Sequence, residues 1–145
     1  MSCQIEFLLV ILEDYLMKKN KFYFSEEETK TISIDFDGVM HNDNLGWHDG
    51  TIYGSPIEGS LEAVKNLAEN YTLILFTAKA KPDRPLVDGK TGAELIWEWL
   101  EKYGVKDCFK EITAEKPRCL FYIDDKAIRF TNWNQALDDV KLFDQ

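Results

Sequence analysis

The sequence predicts an α/β protein built on a mainly parallel sheet, and three observations predict it. Apolar runs end at Asp35, at Phe76 and at Ile123 (TISI at 31–34, YTLILF at 71–76, CLFYI at 119–123), with the continuity of strands covered on both faces. Stretches of helical periodicity separate them, and strands alternating with helices call for crossover connections and a parallel sheet. Each run also ends in side chains able to do chemistry: Asp35 and Asp37, then Thr77, then Asp124 and Asp125.

Taken in order, Ile5 to Met17 repeats apolar residues at helical spacing (Ile5, Leu8, Leu9, Leu12, Tyr15, Leu16), which predicts an amphipathic helix packed on the domain. Glu13 and Asp14 interrupt it, no basic region precedes it, and it is too short to span a bilayer, so neither a signal peptide nor a membrane anchor is expected. Lys18 to Lys30 reads as a polar connector around Phe22, Tyr23 and Phe24. Residues 1–30 thus form a helix and connector on the core, and 31–145 form one catalytic-sized domain. After the first strand, 42–55 is a loop rich in Gly, Asp and Asn. Pro56 and Glu58 then open a helix through Leu61, Val64, Leu67 and Ala68. The strand at 71–76 leads through a polar stretch into a second helix, with Leu95, Ile96, Trp99 and Leu100 inward and Gly104 past its end. The strand at 119–123 follows, then a short helix at Trp133 to Leu137 and a last strand at Val140 to Phe143.

The chain has 145 residues, 45% of them hydrophobic, enough for one folded domain with a real core. Its net charge of -9 disfavours broad contact with a nucleic-acid backbone, which calls for clustered Lys and Arg. Three cysteines, Cys3, Cys108 and Cys119, lack CxxC spacing, so neither a disulfide framework nor a zinc knot is indicated and a reducing, cytoplasmic setting fits.

Thr31 to His41, TISIDFDGVMH, is the most informative segment. Side chains alternate along a strand, so Asp35 and Asp37 share a side while Phe36 turns to the core and Gly38 permits a sharp bend. Two acids so placed repel unless a cation sits between them, and Mg²⁺ suits an oxygen-rich site that keeps room for water or a phosphate. A plain strand ending in a turn is the alternative for these residues alone. In an open parallel sheet, ligands bind at the carboxyl ends of the strands near the point where strand order reverses, so the three acidic or hydroxyl-bearing ends and Lys116 converge on one crevice.

Four motifs in order, DFDGV, LILFTA, Lys116 and YIDD, resemble the haloacid dehalogenase superfamily over roughly residues 31–130. The stretches PIEGS and KPRCLFYIDDKAIRF look like its small phosphatase-like members. The resemblance implies a three-layer Rossmann-like sheet with helices on both faces, and a Mg²⁺-dependent phosphatase. Asp35 would attack phosphorus to give an aspartyl-phosphate, while Asp37 would protonate the leaving oxygen and later activate water. A proton on Asp37 near neutral pH then requires its pKa to be raised by neighbouring negative charge. Thr77 would donate to a phosphoryl oxygen beside Ala78, also a substrate-binding position, and Lys116 would set its ammonium against Asp35 and the transferring group. Asp35, the Asp37 carbonyl and Asp124 would hold the metal, with Asp125 close by.

Both gaps between these motifs hold one loop and one helix, leaving no room for a cap domain, so an open site is expected, for either a small phosphorylated substrate such as a sugar phosphate or nucleotide or a larger phosphorylated molecule. A homo-oligomer that closes the site is compatible with this. His41 and His48 lack ligand spacing and read as loop residues. Trp47, Lys79 and Arg84 overhang the site as either substrate contacts or solvated loop residues. A non-catalytic or phosphoacceptor protein of the same fold is the alternative function, although a receiver-type switch would present its acids in a different order.

Overall fold

The computed structural model describes residues 3–20 and 25–144. Four strands, β1 (Thr31–Asp35), β2 (Thr72–Phe76), β3 (Phe109–Thr113) and β4 (Phe121–Ile123), form one sheet in the order β3-β2-β1-β4. All three pairings are parallel. The helices are α1 (Cys3–Asn20), α2 (Ser60–Ala68), α3 (Gly92–Lys102) and α4 (Trp133–Phe143). The fold class expected from sequence is therefore present as an α/β fold with an all-parallel sheet.

The core sits where the alternation of β1 and β2 meets the apolar stripes of α2 and α3. Ile32, Ile34, Leu73 and Leu75 are buried with Val64 of α2 and with Ile96, Trp99 and Leu100 of α3. Thr91 caps α3 through a capping box with Glu94, which satisfies two of the backbone donors orphaned at the helix start. Phe36 is fully buried just beyond β1, as its position between two outward acids requires.

Register places the functional ends side by side. Asp35 lies opposite Phe76, and Ile34 lies opposite Ile123, so Thr77 and Asp124 emerge on either side of the end of β1. The chain passes from β1 outward to β2 and β3, then returns to β4 on the other side of β1. Strand order thus reverses beside β1, which is where an open parallel sheet leaves a crevice for ligands.

Four elements differ from the sequence expectation. The predicted strand at Val140 to Phe143 is the end of α4, because Asn132 caps a helix that runs unbroken from Trp133 and places Trp133, Ala136, Leu137 and Val140 at helical spacing. The fourth strand is instead β3, whose sequence FKEIT carries too few apolar residues to show as a buried run. Pro56 does not open α2. It bridges to His41, and α2 begins at Ser60 after Gly59. The strand at 119–123 starts at Phe121, and its three residues are exposed at the sheet edge rather than buried.

The predicted N-terminal helix forms, but its packing differs from expectation. Ile5, Leu8, Leu9, Leu12 and Leu16 are exposed, and α1 meets the domain through Tyr15, stacked on Phe121 at 5.2 Å, and Asp14, paired with Arg129 at 2.8 Å. Apolar residues lie around the whole helix rather than along one stripe, so no single face is selected for the core. The aromatic connector residues Phe22, Tyr23 and Phe24 lie outside the described residues.

Candidate active site

Asp35, Asp124 and Asp125 bring one carboxylate oxygen each to within 4.8 Å of one another at the carboxyl end of the sheet. Asp35 is half-buried, and Asp124 and Asp125 are exposed. The closeness of the two segments depends on Gly38. Its φ of +80° is left-handed, and a Cβ there would lie 2.2 Å from an Asp125 carboxylate oxygen. Burial, then the charges of Asp124, Asp125 and Asp37, push the Asp35 carboxyl up to about 6, against the pull of the Phe36 N–H it accepts. Three carboxylates crowded together in this way have the chemistry of a cation site, and the oxygen-only donor set suits a hard ion.

Asp37 has a different environment. Its carboxylate is not part of that cluster, and Oδ1 accepts from Lys79 Nζ and from His41 Nδ1, each at 2.8 Å. These two donors outweigh the effect of burial and hold the Asp37 carboxyl below its ordinary range. The expectation of a raised pKa at Asp37 is thereby corrected: neighbouring negative charge falls on Asp35, while Asp37 faces a buried cation. Among the carboxylates named from sequence, Asp37 alone stands outside the three-oxygen cluster, so its side chain is not placed as a ligand.

His41, set aside as a loop residue from sequence, is fully buried. Its Nε2 accepts the Gly54 N–H at 2.8 Å, so its ring proton sits on Nδ1 and is donated to Asp37. Gly54 in turn accepts from Trp99 Nε1 at 2.9 Å, and a Cβ on Gly54 would lie 1.9 Å from the Asn42 carbonyl oxygen. A continuous line of hydrogen bonds thus runs from α3 through the 42–55 loop to Asp37. The Phe36 ring stacks on His41 at 5.1 Å and holds its plane.

Thr77 is buried at the end of β2, its N–H bonded to the Thr113 carbonyl at 2.9 Å. Its Oγ1 accepts the Lys79 N–H at 3.2 Å, leaving the hydroxyl proton for another acceptor. The same short 3₁₀ turn, Ala78–Ala80, exposes Ala78 and turns Lys79 inward. Lys79 is 7% exposed, so it is not a solvated loop lysine. Lys116 is exposed, with its ammonium 4.9 Å from the centre of the Tyr122 ring, and no ion pair joins it to Asp35 among the described residues. Trp47 and Arg84 meet each other, the guanidinium 5.0 Å over the indole ring. His48 packs edge-on against Tyr53.

No family model, curated protein or solved structure matches this chain. The likeness to the haloacid dehalogenase superfamily therefore remains a likeness of four ordered motifs. Sequence reasoning named the three clustered acids and Thr77, but it missed Lys79 and His41 as the partners of Asp37. Their spacing carried a weak signal: His41 follows Asp37 by one turn, and Lys79 follows Thr77 by two residues in a segment too polar for a strand.

Proposed function

We propose that this protein is a Mg²⁺-dependent phosphatase that hydrolyses a phosphate monoester through an aspartyl-phosphate, with a capless, Rossmann-like domain of the haloacid dehalogenase type. The observation that carries the reading is the separation of the acids into two environments. Asp35 stands with Asp124 and Asp125 in a cluster short of positive charge, while Asp37 beside it is bound by a buried lysine and a histidine.

In this reading Asp35, Asp124, Asp125 and the Asp37 carbonyl hold the metal, which offsets the charge of the carboxylates and of an arriving phosphate. An Asp35 oxygen attacks phosphorus in line; the new O–P bond forms as the bond to the ester oxygen breaks, and the departing alkoxide takes a proton from solvent water, since Asp37 carries none to give. The Thr77 hydroxyl, its lone pair occupied by the Lys79 N–H, donates to a phosphoryl oxygen. Asp37 is an anion in the resting site, the form that removes a proton from water in the second half. Water then attacks phosphorus, the acyl-phosphate bond breaks, phosphate leaves, and Asp35 is regenerated as a carboxylate. Lys116, on its flexible stem above Tyr122, is the cation that closes on the phosphoryl group.

The test is release of inorganic phosphate from an aryl phosphate and a panel of phosphorylated metabolites, with and without Mg²⁺. Wild type should turn over only with the metal, and Asp35→Asn should lose at least a thousandfold, the scale expected for removal of a nucleophile. Turnover retained in Asp35→Asn rejects the mechanism. Absence of turnover by wild type that nonetheless binds Mg²⁺ favours the non-catalytic or phosphoacceptor alternative.

A further inference from the structure

Eighteen of the twenty-one large apolar side chains that remain at least 40% exposed among the described residues belong to α1, β4, the segment after β4 and α4. The other three, Leu45, Trp47 and Leu86, lie in loops elsewhere. The four exposed segments are linked. Tyr15 of α1 stacks on Phe121 of β4, Asp14 pairs with Arg129, and Phe130 packs edge-on against Trp133 at the start of α4. Between α1 and β4 runs an open groove of about 1050 Å³ lined by Ile11, Tyr15, Phe121, Ile128 and Phe130.

A large apolar side chain carries roughly 60–120 Å² of transferable surface, so eighteen of them at about half exposure leave roughly 500–1,100 Å² uncovered per chain. A typical monomer's largest apolar patch is about 300–600 Å², and a stable association needs about 800 Å² from each partner. The middle of that range lies above the first figure and matches the second. α1 is apolar around its circumference, a pattern of helices enclosed on several sides, whereas here eight of its large apolar side chains stay exposed. α4 carries Trp133, Leu137 and Val140 on one exposed stripe, the spacing by which a helix lies in an apolar groove.

We propose that this face is where a second copy of the chain docks, giving a closed two-fold dimer in which α1 and α4 of each copy cover those of the other. A two-fold axis brings the same patch to both sides, so the area requirement is met by this chain alone. A lipid surface is disfavoured by charge: α1 carries Glu6, Glu13 and Asp14 against Lys18 and Lys19, α4 carries Asp138 and Asp139 against Lys141, and the chain as a whole has a net charge of -9. β4 is an edge strand with no partner on the side away from β1 among the described residues, and that edge lies within the same face.

The full chain should sediment and scatter light with twice the chain mass at micromolar concentration. Leu12→Glu and Leu137→Glu should each return it to the monomer, while Leu86→Glu, in an exposed loop off the patch, should leave the dimer intact. Hydrogen exchange on wild type at two concentrations supplies a readout free of any substitution: amides of α1 and α4 should exchange at least tenfold more slowly in the concentrated sample. A wild-type mass equal to one chain, an open-ended series of larger species, dimers unaffected by both glutamates, or exchange independent of concentration would each overturn the proposal. Monomers that bind anionic vesicles would assign the face to lipid instead.

Discussion

Asp35 and Asp37 stand one residue apart yet are held in opposite directions, and the cause is which neighbours the fold delivers to each. In metal-free protein the folded state keeps a proton on Asp35 up to about 6, while the unfolded chain releases it near 3.8. Between those values the folded state binds more protons, so this group's contribution to stability falls as pH rises through the window. Asp35→Asn should remove that fall and raise the melting temperature of metal-free protein at pH 7; a wild-type profile with no Asp35-dependent slope between pH 4 and 7 would contradict it. Asp37 has the reverse sign: its lowered pKa adds stability above the ordinary carboxylate range that is lost as pH drops below it. Lys79→Met leaves a partly buried carboxylate with one donor, and losing such a partner costs about 2 kcal/mol. Denaturant unfolding should show that loss, and phosphate release should drop about tenfold or more as Asp37 leaves its place.

At the scale of elements, two close approaches decide whether the loops around β1 converge. Gly38→Ala would put a methyl against the Asp125 carboxylate and force a non-glycine residue to φ +80°. A left-handed non-glycine residue costs about 1–2 kcal/mol, so a modest stability loss should accompany a clear weakening of Mg²⁺ binding by calorimetry. Unchanged Mg²⁺ affinity in this variant would remove Asp125 from the ligand set. Trp99→Phe keeps the packing against Phe36 and His41 but deletes the hydrogen bond to Gly54. It should cost about 1 kcal/mol and loosen the 42–55 loop, measured as faster amide exchange at Gly54.

For the whole molecule, the cluster of like charge implies that cation binding and folding are linked. A ligand bound only by the folded state stabilises it by about 2.7 kcal/mol at a hundred times its dissociation constant. Mg²⁺ should therefore raise the melting temperature, a chelator should reverse the rise, and Asp35→Asn should blunt it. No helix among the described residues is long and apolar enough to cross a membrane. The exposed apolar surface instead lies along the β4 edge, where a second copy is proposed to cover it.

The legible parts of this protein were those set by neighbours in sequence. Strands β1 and β2, helices α2 and α3, and the acids at the ends of β1 and β4 follow from periodicity and from the two-residue alternation of a strand, which act over a few residues. The likeness in four motifs ordered those acids into one site before any contact was known. Tertiary structure alone decided what no local rule reaches: that FKEIT joins the sheet because β2 offers it an edge, and that α1 and β4 keep their apolar residues uncovered within one chain. It also decided that the cation beside Asp37 is Lys79. Burial and charge pairing are properties of what the rest of the chain brings alongside, and the pairing of Asp37 with Lys79 spans a sequence separation of 42 residues.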